Sequence, residues 1–280
     1  MSVGRPAFDR RALVAPLAGF VVFLVAWELL VRITDTKPFV LRSPSKIVAE
    51  IASAPGVYLR AALVTGTEAL VGLLLALAIS LAIGAVLASS RFLEEAAQPV
   101  LTLVLVTPWV AYISSVVLWL GRGTRPILFV VTLVCIPAFT FATVTGLRSA
   151  DPLAREVLQS VDAGRREILW RLRLPSALPS IFSAARFNSG LALAAAYFTE
   201  GGALVNRGLG AIGRRAASFN EGDPLWAAIL CTALLGLIFL GIIGVLERVL
   251  LGWHSSQRDG SSRTGSTRSE RAGFGYRPRS

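Results

Sequence analysis

Cysteine, histidine and lysine are nearly absent from this chain. Its 280 residues include two cysteines, one histidine, and lysine only at Lys37 and Lys46. Two cysteines cannot build a disulfide scaffold, and a lone His254 without Cys/His partners in ligand spacing gives zinc nothing to bind. Neither lysine closes a GxxxxGK[ST] loop, so the chain has no P-loop; if ATP drives its work, another chain hydrolyses it. No serine–histidine or paired-carboxylate constellation stands at a plausible site, and no enzyme chemistry is expected. Charge is scarce too: 16% of residues are charged and 54% hydrophobic, with a mean hydropathy of +0.64. Soluble domains run near 45–50% apolar and about 25% charged, which excludes a water-soluble enzyme. Almost all of the +11 net charge is arginine.

What is present is long apolar runs. Six are long enough for a hydrocarbon layer of ~30 Å, which needs about 20 helical residues. They are Leu13–Ile33, Ala62–Ser89, Val100–Leu120, Ile127–Leu147, Ile181–Ala203 and Leu225–Leu250. None alternates as a barrel strand does, and lipid offers no partner for open backbone, so an all-α bundle of six transmembrane helices is expected. The first run exceeds a signal-peptide core and lacks a clean cleavage site, so it is read as retained. With the N-terminus inside, cytoplasmic segments hold 17 Lys/Arg against 10 outside, which favours cytoplasmic placement of both termini. Small residues at close-packing spacing, Ser80/Gly84/Ala88 and Gly190/Ala194, predict tight helix contacts rather than ligand sites. Cys135 and Cys231 sit inside spans and read as buried packing.

Residues 151–180 are too charged to cross a membrane and too patterned for a loose loop. Asp151 can cap a helix that Pro152 begins. Val157, Leu158 and Val161 form one apolar stripe; Asp162-Ala163-Gly164 interrupts, a second short helix repeats the stripe at Ile168, Leu169 and Leu172, and Pro175 and Pro179 are expected to stop it before the fifth span. The pattern is a short helix, turn, helix. It fits either an amphipathic loop on lipid headgroups or a docking site for a partner protein.

The stretch EVLQSVDAGRREILWRLRLPSALP, Glu156 to Pro179, resembles the EAA signature of ABC importer permeases, the inner-membrane components of binding-protein-dependent transport. Glu156, Leu174 and Pro175 fall in register; Val157 and Leu158 replace the signature's paired alanines, and Asp162 replaces its glycine. The likeness extends over residues 40–253, in LRSPSKIVAEI (Leu41 to Ile51), TPWVAYISSVVLWLGRG (Thr107 to Gly123), FTEGGALVNRGLG (Phe198 to Gly210) and LERVLLGW (Leu246 to Trp253). It looks closest to the sulfonate, taurine and nitrate branch, although Glu68 stands where that branch usually has Arg. The resemblance implies the type I importer permease fold and a permease subunit that docks on two ATPase subunits through Glu156, Val157, Leu158, Val161, Asp162, Ala163, Gly164, Leu174 and Pro175. It further implies ATP-Mg on those ATPases with no cofactor in this chain, a second permease copy in a homodimer, and an extracytoplasmic substrate-binding protein. The solute expected is small, of the sulfonate, taurine or nitrate type, and the location a bacterial inner membrane.

The organisation expected is a cytoplasmic segment 1–12, a permease domain 13–254 with its coupling segment 151–175, and a disordered basic tail 255–280. The tail's charge suits anionic lipid; nothing in it reads nucleic-acid bases. Glu28, Glu68, Glu200 and Glu247 lie in or beside spans, and Glu68 and Glu200 are candidates for a pathway or gate role. Glu28 has Arg32 one turn later as an ion-pair partner, and Arg186 is expected to snorkel. Gly208 to Gly213 spells GxGxxG with no strand before it, so a structural turn is expected there and no dinucleotide site. Two other readings stay open on residues alone: an ion-coupled secondary transporter, and a membrane scaffold or sensor acting through the tail.

Overall fold

The computed structural model describes residues 10–34, 36–203 and 205–251, with side chains from residue 14 onward. The expected tail 255–280 and most of segment 1–12 lie outside the described residues. The chain order is α1 (Arg10–Thr34), α2 (Pro44–Ser53), α3 (Pro55–Leu87), α4 (Arg91–Val106), a 3₁₀ turn (Trp109–Tyr112), α5 (Ile113–Leu120) and α6 (Thr124–Arg148). Then follow α7 (Pro152–Ser160), α8 (Arg165–Ile168), a π turn (Leu169–Arg173), α9 (Leu174–Gly202), α10 (Leu209–Ser218) and α11 (Gly222–Leu250).

The all-α character holds, but the six-span expectation does not. Among the described residues four helices are long and apolar enough to cross a membrane: α1, α3, α6 and α11. A fifth is reached only if α4 and the Trp109–Leu120 segment count as one span, and these meet at 81°. The run Val100–Leu120 is therefore broken: Thr107 turns extended (φ −69°, ψ 127°), and Pro108 supplies no N–H to continue the helix. Averaged hydropathy smooths over that break. The run Ile181–Ala203 is helical within α9, but Arg186, Asn188 and Ser189 hold its hydropathy below that of a span.

At the centre, α6 packs against α3 on one side and α9 on the other. Small residues make this contact close. A Cβ at Gly72 would lie 2.5 Å from Val131, one at Gly84 2.6 Å from Thr143, and one at Gly146 2.7 Å from the Ala177 Cα. Polar side chains bond between helices: Ser80 Oγ donates to the Ile136 carbonyl (3.0 Å), and Asn188 Nδ2 to the Cys135 carbonyl (3.2 Å). Such bonds contribute about 0.6 kcal/mol each in a membrane bundle. Cys135 is buried here and Cys231 half-buried; both are free thiols. The Ser80/Gly84/Ala88 stripe is thus packed as expected. Gly190 and Ala194 differ: they line an open apolar groove of 380 Å³ between α9 and α11.

The remaining helices surround this core. α1 touches the bundle at its edge, through Trp27 against Trp226 (ring centroids 6.0 Å apart) and through Glu28, which accepts from Ser45 N (3.0 Å) and pairs with Arg32 at 2.8 Å. Near the α3 N-terminus, Ile47, Tyr58, Ala61, Leu209 and Ala227 make a second core where α2, α3, α10 and α11 meet. A third core, around Leu87, Val144, Leu147, Ala177 and Ile181, lies at the opposite end of α3. Thirty-three residues of α3 separate the two ends, about 50 Å at 1.5 Å per residue.

Candidate functional site

Two groups of residues stand along α3, one at its C-terminal end and one in its N-terminal half. The first is the segment after α6. Asp151 caps α7 as expected, its Oδ1 accepting from Leu153 N at 2.9 Å, with Pro152 in the first turn. Leu153, Val157 and Val161 follow at four-residue spacing and are 69%, 65% and 70% exposed. That is an apolar ridge with nothing on it. Glu156 is exposed beside it, and Leu158 and Ala163 are half-buried beneath.

Asp162 makes the turn. It adopts φ +54°, its N–H donates to the Gln159 carbonyl (3.1 Å), and Ala163 N donates to the Leu158 carbonyl (3.0 Å). This pair of bonds is a Schellman cap, whose left-handed residue is usually glycine because a Cβ disfavours it; Asp and Asn tolerate it best. Gly164 has an ordinary φ of −67° with open space where a Cβ would go, so it does not supply the turn in place of Asp162.

The expected stop at Pro175 and Pro179 does not occur, since helix runs on from Arg165 through Gly202. A proline ring clashes with the carbonyl four residues earlier; for Pro175 that is Arg171, inside the wider π turn over Leu169–Arg173. Leu169 and Leu174 pack on the core at the ends of α3 and α6. Arg173, which sequence reasoning missed, fastens the joint. Its Nε donates to the Leu147 carbonyl (2.9 Å) and its Nη2 to the Ala88 carbonyl (3.4 Å), at the C-terminal ends of α6 and α3. A cation suits both, because helix C-termini carry partial negative charge. Burial, and then the neighbouring Arg155 and Arg148 charges, push this guanidinium below the usual arginine value. The signal was an arginine between Leu172 and Leu174 on the buried side.

The second group lies where α10 meets α3 and α9. Glu68 and Glu200, far apart in sequence, are both buried here, Glu68 beside Arg207 and Glu200 beside Gly208 and Gly210. Glu200 Oε2 accepts from Gly210 N (2.7 Å), and Thr65 Oγ1 accepts from Leu209 N (2.8 Å), so two of the first N–H groups of α10 are satisfied by side chains. Arg207 reaches Glu68 at 3.8 Å and also bonds Thr124. The glycines of the GxGxxG run are structural: a Cβ at Gly208 would strike the Glu200 carboxyl, one at Gly210 the Tyr197 carbonyl, and one at Gly213 the Tyr197 hydroxyl. Deeper along the bundle, Arg186 pairs with Glu247 rather than relying on snorkelling alone. Among the described residues no three His, Cys, Asp or Glu are placed to hold a metal ion.

Residues 74–251 match the family described as binding-protein-dependent transport system inner membrane component. The chain is 32% identical to the riboflavin transport system permease protein RibX of Chloroflexus aurantiacus, over 89% of this chain and 93% of that one. It is 29% identical to the formylaminopyrimidine transport permease protein ThiX of Halalkalibacterium halodurans, over 86% and 96%, and 24% identical to the taurine transport system permease protein TauC of Escherichia coli, over 83% and 87%. The sulfonate, taurine and nitrate branch is thus not set apart from riboflavin and formylaminopyrimidine permeases. In fold, the chain is similar to a chain of the inward-facing MetNI methionine ABC transporter, with a TM-score of 0.56 and 16% identity over 69% of this chain and 97% of that one.

Proposed function

This chain belongs to the family of inner-membrane components of binding-protein-dependent transport systems, and from that premise we propose how it is coupled to its ATPase. It is the permease subunit of an ABC-type importer, a multi-pass membrane protein that forms the translocation pathway for a small solute. It is not catalytic; ATPase activity resides on a separate subunit.

The segment from Glu156 to Pro175 is the coupling segment. Val157 and Val161, with Leu153, seat in a groove on an ATP-binding subunit, and Glu156 borders that contact. Leu158, Asp162, Ala163 and Gly164 shape the turn, while Leu174 and Pro175 join it to the bundle. One observation carries this reading: three large apolar side chains stand exposed in a row on a capped helix, and the segment that helix opens is bonded to the ends of α3 and α6 through Arg173. An exposed apolar row costs free energy unless something covers it, and the Arg173 bonds give a push on α7 a route through the segment to both central helices. Two ATP-binding subunits carrying ATP-Mg serve a homodimer of this chain, and a binding protein delivers the solute from outside. Both termini then lie in the cytoplasm of a bacterial inner membrane. The solute belongs with those of the similar permeases, either a sulfonate such as taurine or a heteroaromatic metabolite of the riboflavin and formylaminopyrimidine kind.

Gentle solubilisation of native membranes followed by capture of the tagged chain tests the coupling segment. A P-loop ATPase should co-purify with the native chain and be lost from Glu156→Arg and Val161→Asp. Full retention of the ATPase by both variants, with the fold intact, would overturn this role for the ridge.

A further inference from the structure

Opposite the coupling segment, the N-terminal part of α3, residues 205–208 and α10 enclose a cavity of 630 Å³ that the coupling mechanism does not use. Four arginines line it, Arg60, Arg207, Arg214 and Arg215, and among the described residues no acidic side chain does. Among the described residues Arg60, Arg214 and Arg215 form no ion pair. Arg60 spends its Nε on the Gly56 carbonyl, and the buried Arg214 Nε has no partner. A guanidinium offers five donors in a planar fork matched to an oxyanion. Gathering several around one space is electrostatically unfavourable until an anion enters.

Arg207 also lines an adjoining cavity of 230 Å³ together with Glu68, Thr67 and Thr124. Its contact with Glu68 is loose at 3.8 Å, and the arginine is 56% exposed where Glu68 is 7% exposed. Among the described residues Glu68 Oε2 and Glu200 Oε1 have no hydrogen-bond partner. An anion arriving from the open side therefore meets Arg207 before it meets Glu68, and competes with that carboxylate for the same guanidinium.

Resting on the permease reading, we propose that this cavity is a transit site for a solute bearing an oxyanion (carboxylate, sulfonate or phosphate), admitted by drawing Arg207 off Glu68. The volume suits a small molecule, whose binding clefts run about 300–1,000 Å³. The exchange breaks no covalent bond: one ion pair, Arg207 with Glu68, is replaced by another, Arg207 with the solute. Glu68 is left facing Glu200 until the solute moves on, which keeps the site from holding its ligand permanently.

The test is equilibrium binding of radiolabelled sulfate to the purified full-length chain in phosphatidylcholine nanodiscs, at constant ionic strength set with sodium chloride. Saturable binding is expected, competed by methanesulfonate and not by choline. Arg215→Ala and Arg214→Gln should each weaken it about tenfold, the scale of one charge-assisted hydrogen-bonded pair. Glu68→Gln, which frees Arg207, should tighten it several-fold; a residue that merely supports the fold would not produce that sign. No saturable binding, or binding indifferent to all three variants, overturns the proposal. Loss of sulfate binding in phosphatidylglycerol nanodiscs, with that lipid retained by the native chain and not by the arginine variants, also overturns it and assigns the cavity to a headgroup. Measuring ATPase co-purification with the same variants separates this failure from failure of the coupling segment, since Arg214, Arg215 and Glu68 lie away from the C-terminal end of α3 where that segment is bonded.

Discussion

Asp162 carries the turn between α7 and α8 at a backbone angle of φ +54°. The left-handed conformation costs an ordinary L-residue about 1–2 kcal/mol, and glycine close to nothing. Asp162→Gly should therefore raise the chain's stability by up to about 1 kcal/mol, and Asp162→Val should lower it by a similar amount; thermal melts in detergent read both. A melt of Asp162→Gly below that of the native chain would mean that the aspartate makes a contact worth more than the strain it bears. Asn220 solves the same problem at the end of α10, with φ +56° and Glu221 N bonded to the Ala216 carbonyl at 2.9 Å. At both places the residue type is visible in the sequence, since Asp and Asn are the side chains most at ease there. That Asp162 rather than Gly164 makes the turn was not visible, because both fit a helix end and only the bonds of Leu158 and Gln159 choose between them.

Between elements, the glycines divide by what faces them. A Cβ at Gly146 would sit 2.7 Å from the Ala177 Cα, which is backbone and cannot rotate away. Gly146→Ala should force α6 and α9 apart next to the coupling segment and cost about 1–3 kcal/mol, the range for overpacking. Gly190 has nothing within 4 Å of the same added atom, and Gly190→Ala in a helix interior should be neutral or gain about 0.5–1 kcal/mol in the isolated chain. Equal melts for the two variants would contradict this packing. The sequence pattern treats these glycines alike, as small residues on apolar helices. The same blindness produced the expectation of six spans: a run of apolar letters does not reveal that Thr107–Pro108 bends one of them, or that α9 turns Asn188, Ser189, Thr199 and Glu200 into the bundle.

At the scale of the whole molecule, Arg173 bonds the coupling segment to the ends of both α3 and α6, and among the described residues no other side chain does so. Arg173→Ala leaves the Leu147 and Ala88 carbonyls without it, but does not touch the exposed ridge of Leu153, Val157 and Val161. The ATPase should still co-purify, while ATP-driven uptake by reconstituted importer falls at least tenfold, and Arg173→Lys should recover only part because an ammonium cannot fork between two carbonyls. Uptake unchanged in Arg173→Ala would show that α7 transmits its motion by another route. Composition alone placed the chain in a membrane, and local pattern alone placed the cap at Asp151 and the stripe through Val157 and Val161, because those depend on neighbours within a turn or two. The tertiary structure alone decided that Glu68 meets Glu200 and Arg207, that Arg173 reaches Ala88 and Leu147, and that four arginines share one cavity. Each of those joins residues from separate helices, and which helices lie side by side is set by how closely Gly72, Gly84 and Gly146 let their backbones approach, a property of the packed bundle that no stretch of sequence contains.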